Sequence, residues 1–92
     1  MIISVLWNEK AIEDYEAILD HIYEDAGEEK ETEFMAMFEN KIALICEFPD
    51  IGKNGLVENT REFLTNGYRI VYQSTEKELR ILRIVHYRRQ YP

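Results

Sequence analysis

LRILRIVHYRR, residues 79–89, decides how the chain is read. Its first eight residues are rich in β-branched and aliphatic side chains, apolar at both parities in the middle and polar at the ends. Strict alternation would send Leu79, Ile81, Arg83, Val85 and Tyr87 to one side and Arg80, Leu82, Ile84, His86 and Arg88 to the other. A strand with apolar residues on both sides belongs in the middle of a sheet, covered by helices on one face and partly covered on the other. Upstream, Tyr68–Gln73 (YRIVYQ) and Thr60–Leu64 (TREFL) have the same texture, separated by a TNG turn and a polar STEKE turn. The three runs predict an antiparallel meander.

Before Pro49 the period changes. Ala11, Ile12, Tyr15, Ile18, Leu19, Ile22 and Tyr23 fall on one helical stripe, with Glu13, Glu16, Asp20 and Glu24 opposite. Asn8 offers an N-cap and Gly27 a left-handed C-cap. Phe34, Met37, Phe38, Ile42 and Ile45 repeat the spacing until Phe48-Pro49 ends it, and DIGKNG follows as a loop. Ile2–Leu6 is too short for a helix and reads as an opening strand. The order is β-α-α-β-β-β, an α+β domain with a helical hairpin packed on an antiparallel sheet.

The 92 residues make one domain, and a chain of this size buries roughly 60–65% of its unfolded surface without needing metal or disulfide support. Cys46 is the only cysteine, so no intramolecular disulfide forms, which fits a reducing compartment. The N-terminal MIISVLW lacks the basic flank and length of a signal peptide, and no apolar run is long enough to span a bilayer. A cytoplasmic protein with no membrane association is expected. The formal charge of −7 is unevenly placed. Residues 8–41 hold twelve acids against three lysines, a charge of −9, whereas residues 42–92 carry +2. The last fourteen residues contain Arg80, Arg83, Arg88 and Arg89 and no acid, which places a basic patch on an acidic body.

Arginines carry most of the candidate chemistry. Arg61, Arg69 and Arg88 lie on three consecutive strand regions and are long enough to converge on a phosphate or carboxylate; the bland alternative is strand-end pairing with Glu62, Glu76 or Glu78. Arg83 fits a second role as well, as partner to a helix carboxylate across the sheet. His86, Tyr87 and Arg88 place a titratable base, a phenol and a guanidinium within three residues, types that serve metal-independent RNA cleavage. Alternation sets Tyr87 on the other face from its two neighbours. His21, Cys46 and His86 have no metal-ligand spacing, and Met35 and Met37 read as core filler. No phosphate loop, nucleophile elbow or CxxC is present, and no metal or cofactor is expected.

The helix-closing FPDIGKNG, then TREF, then NGYRIVYQ, then ELRILRIVHYRRQYP together resemble the RelE/ParE superfamily of toxins from bacterial type II toxin-antitoxin modules, over nearly the whole chain. The pairing of TRE and GYRIVY with ILRIVHYRRQYP at this spacing is the most specific part, and the ending is closer to the ParE-like branch. The resemblance implies a small toxin neutralised by a cognate antitoxin, present as a homodimer or as a toxin-antitoxin hetero-oligomer. In the ParE-like branch the toxin inhibits DNA gyrase by binding it and is not an enzyme. In the RelE-like branch it is an endoribonuclease that cleaves mRNA on the ribosome.

The second branch would give Arg69 the task of stabilising the phosphorane. Arg61 and Arg88 would hold phosphate, and His86 or Tyr87 would assist proton transfer. Phe63, however, stands where a lysine of the ribonuclease branch falls, and an acidic body is a poor match to ribosomal RNA. Gyrase inhibition is therefore the first expectation, with Arg61, Arg69, Arg83, Arg88 and Arg89 as target-binding residues. The ribonuclease is the second, and an inactive relative that only binds partners is the third. Antitoxin is expected to wrap the hairpin and sheet with an amphipathic segment.

Overall fold

A computed structural model describes all residues, 1–92. The elements are β1 (Ser4–Trp7), α1 (Glu9–Ala26), α2 (Glu28–Glu47), β2 (Lys53–Asn54), β3 (Arg61–Thr65), β4 (Tyr68–Ser74) and β5 (Glu78–His86). The sheet order is β1-β5-β4-β3-β2, so the strand quoted above lies inside the sheet, as its two apolar faces require. β3, β4 and β5 form the antiparallel meander, and its β3–β4 turn has positive φ at both Asn66 (46°) and Gly67 (85°), the condition for a tight two-residue hairpin.

Two features refine the expected antiparallel sheet. β1 joins β5 in parallel, so the whole sheet is mixed, and the DIGKNG loop contributes β2, a two-residue edge strand on β3. An opening strand with no hairpin turn beside it carries no local signal of its direction. No helix is long and apolar enough to cross a membrane.

Gly27 alone separates the helices; its φ of +90° lets the chain reverse with no Cβ to clash. Glu28, Glu29 and Glu31 sit in the first turn of α2, where the helix dipole favours them. Asn8 precedes α1 in extended conformation, but its side chain makes no cap. Its Oδ1 instead accepts from Arg80 Nη1 at 3.4 Å. Ala11 and Ile18 of α1 and Phe34, Phe38 and Ile45 of α2 bury against Ile70, Tyr72, Leu79, Ile81 and Ile84 of the sheet. Trp7, Tyr15, Phe38 and Phe34 form a chain of ring contacts, with Tyr15 and Phe38 centroids 4.8 Å apart. Burial, helped by the Glu39 charge, raises the Tyr15 phenol above its ordinary pKa.

The alternation drawn for β5 fails at one residue. Val71 faces Arg83 and Tyr72 faces Ile81, so Leu82 is an unpaired bulge. One extra residue inverts the phase. Leu79, Ile81 and Ile84 therefore share the helix side, while Leu82 and Val85 are buried outside that core.

Candidate functional site

β1 ends at Trp7, opposite Ile81, and leaves the rest of the β5 edge without a strand neighbour. Asp14 of α1 fills that gap. Its Oδ2 accepts from the Ile84 N–H at 2.9 Å and from Arg83 Nε at 2.7 Å, and its Oδ1 accepts from Arg83 Nη2 at 3.1 Å. The carboxylate pins α1 to β5, and its hydrogen bonds hold the Arg83 guanidinium still more firmly protonated than an ordinary arginine. Arg83 is thus the partner of a helix carboxylate.

Arg61 and Tyr72 face each other across β3 and β4 on the helix side. Arg61 Nη1 donates to the carbonyl oxygens of Gly52 (2.7 Å) and Asp50 (3.4 Å), and its Nη2 lies 3.5 Å from Asp50 Oδ1. The Tyr72 hydroxyl donates to the Pro49 carbonyl at 2.7 Å and accepts from the Gly52 N–H at 3.0 Å. Together they fasten the loop that leaves α2. Burial raises the Tyr72 phenol above its ordinary value, against the lowering effects of the Gly52 bond and the Arg61 charge.

Arg69 faces Leu64 and lies on the other side of the sheet from Arg61, because Arg61 and Leu64 are an odd number of residues apart on one strand. Its Nη1 donates to Oε1 of buried Glu62 at 3.0 Å, and its Nε to the Tyr87 carbonyl at 2.8 Å. Of Arg61, Arg69 and Arg88, the first two therefore do not converge on one phosphate, and the alternative of pairing with a nearby acid holds for Arg69 and Glu62. Register and the bulge decide which face each arginine takes, and neighbouring carbonyls and carboxylates bind two of the three.

Arg88 and Arg89 are different: both are exposed and neither has a carboxylate partner. With His86, Arg83, Asp14 and Tyr68 they border an open cleft of about 430 Å³ beside α1. Arg88 Nε donates to the Tyr87 hydroxyl at 2.9 Å, and its guanidinium carbon lies 5.4 Å from the Tyr87 ring centroid. His86 and Tyr87, assigned to opposite faces by alternation, have ring centroids only 4.8 Å apart, because the strand ends at His86 and the chain turns. The His86 ring also meets Tyr68 edge-on at 5.9 Å, and Tyr68 meets Phe34 at 5.9 Å, so the ring contacts of the core run out to the basic end.

Asp14 and Glu62 organise this end; the sequence offers Glu62 as a partner for the strand arginines, whereas it does not single out Asp14. Asp14 is one acid among twelve in the hairpin region, and its only sequence signal is its place beside the apolar stripe. Glu62 carries a clearer one: it is a carboxylate inside a strand.

Residues 5–91 match the protein-family model of the ParE toxin of type II toxin-antitoxin systems, parDE. No curated protein matches the sequence. Among solved structures, the chromosomal ParDE toxin-antitoxin system of P. aeruginosa is similar at a TM-score of 0.77 and 24% identity, covering 92% of this chain and 96% of that one. A conserved hypothetical protein of Helicobacter pylori is similar at 0.52 and 17%, covering 94% and 96%. The E. coli DinJ-YafQ toxin-antitoxin complex is similar at 0.51 and 13%, covering 95% and 94%. At these identities the structures show a shared fold. The family match spans nearly the entire sequence, and the chain belongs to the ParE toxin family of type II toxin-antitoxin systems.

Proposed function

We propose that this toxin acts by binding DNA gyrase rather than by cutting RNA, and that Arg88 and Arg89, with His86 beside them, meet the target. Its other partner is the cognate antitoxin of the module. One observation carries the reading: Arg69, the residue a ribonuclease would need for the phosphorane, is already bound by Glu62 and by the Tyr87 carbonyl. A guanidinium neutralised by a buried carboxylate has little attraction left for a developing phosphate charge. Arg61 is held by the loop, and Phe63 offers no cation. What remains free is a pair of exposed arginines suited to holding a protein surface; His86 and Tyr87 stand beside Arg88, but neither Arg61 nor Arg69 is free to join them on a phosphate.

Purified toxin is expected to inhibit gyrase supercoiling and to trap cleaved DNA, while leaving mRNA on programmed ribosomes intact. Cleaved mRNA with unaffected gyrase would move the protein to the ribonuclease reading. Growth unaffected by induction without the antitoxin would leave only partner binding.

A further inference from the structure

Glu62 is a charged group in an expensive position: 7% of its side chain is exposed, on the sheet face away from the helices. An apolar pair would join β3 and β4 there as well or better, so a buried ion pair is a poor device for stability alone. Arg69 does a second thing that an apolar residue could not. While Nη1 holds Glu62, Nε reaches the carbonyl of Tyr87, the first residue beyond β5. The Tyr87 N–H donates to the Gly67 carbonyl at 2.8 Å and the Arg89 N–H to the His86 carbonyl at 2.9 Å, so the root of the C-terminal segment is fixed on both sides. Gln90 and Tyr91 then border the same cleft as Glu62 and Arg69, of about 210 Å³.

We propose that the Glu62–Arg69 pair is a positioning device for the target-binding end: Glu62 orients the guanidinium fork, and the fork holds the Tyr87 carbonyl so that Arg88 and Arg89 project from a fixed point. This rests on the gyrase-binding reading given above. Arg69 on this account touches the tail and not the target. The planar guanidinium matters, because its two arms serve the two acceptors at once and a lysine ammonium is a single point.

The test uses the full-length chain carrying Arg69→Lys, which keeps a cation for Glu62 and gives up the second arm. Tm should move by only a few degrees. Trypsin cleavage after Arg88 and Arg89 should accelerate about tenfold, as expected for losing one charge-assisted bond from a local opening equilibrium. Growth arrest should weaken in parallel. Glu62→Gln, which keeps the shape and removes the charge that orients the fork, should shift both readouts the same way by less.

Weakened arrest with unchanged cleavage would overturn the proposal, since Arg69 would then be meeting the target itself. A freed tail with full arrest would also overturn it. Failure of the underlying reading looks different: Arg88→Ala with Arg89→Ala would arrest growth like the wild type even though Arg69→Lys still frees the tail, and the positioning role would fall with it.

Discussion

The helical hairpin and the basic end of β5 treat charge in opposite ways. Along the hairpin, carboxylates crowd the solvent face and most have no cation near them; within it only Lys30–Glu33 at 3.2 Å pairs opposite charges, and His21 contacts Asp25 at 3.3 Å, both exposed. Such pairs contribute little. Across the sheet nearly every arginine is bound: Arg61 to the loop, Arg69 to Glu62, Arg80 to Glu78 and Arg83 to Asp14. A count of arginines therefore overstates the free positive charge. The arginines left without a carboxylate partner are Arg88 and Arg89, which is why the proposed target contact is placed there.

The sharpest break of this contrast removes the two free arginines. Arg88→Ala with Arg89→Ala should abolish growth arrest on induction while Tm stays nearly constant, since the only side-chain partner of the pair is the exposed Tyr87 and exposed substitutions typically fall within about 0.5 kcal/mol. A large drop in Tm would mean that the pair is structural after all. On the paired side, Asp14→Ala should destabilise by about 2–4 kcal/mol in urea unfolding, because it removes three bonds to one carboxylate and leaves the Ile84 N–H at a strand edge without its acceptor. A change below about 0.5 kcal/mol would show that the β5 edge does not depend on α1.

Tyr72→Phe should cost less, about 1–2 kcal/mol, by leaving the Pro49 carbonyl and the Gly52 N–H unpaired. The same phenol sets an alkaline limit. Its folded pKa lies above the ordinary value of 10.0, so its contribution is complete below pH 10 and is lost as pH rises through the folded value. Tyr15 acts in the same direction. Stability followed by circular dichroism should hold to about pH 10 and then decline, and Tyr72→Phe should flatten that decline. The smallest effect belongs to the hairpin surface, where Glu16→Gln or Glu24→Gln should change stability by less than about 0.5 kcal/mol and leave arrest intact.

Where local pattern governs, the sequence was readable. The Ala11, Tyr15, Ile18 stripe, the reversal at Gly27 and the Asn66-Gly67 hairpin each follow from neighbours within a few residues, and each element falls within about two residues of its expected bounds. The site was less readable because long-range pairing decides it. The Asp14–Arg83 bond spans 69 positions, and the Leu82 bulge depends on how β5 meets β4. The parallel placement of β1 likewise has no local code. The sequence marks Arg61, Arg69, Arg83, Arg88 and Arg89 alike, and only the long-range pairing separates the first three, which are bound, from the last two.

The most direct measurement is a titration of gyrase with this toxin at increasing salt, run beside the chain carrying Arg88→Ala and Arg89→Ala. Affinity should fall as salt rises and should fall by about tenfold or more in the variant, with the residual binding nearly insensitive to salt. Equal affinity of the two proteins, or no binding of gyrase at any salt, would contradict the account.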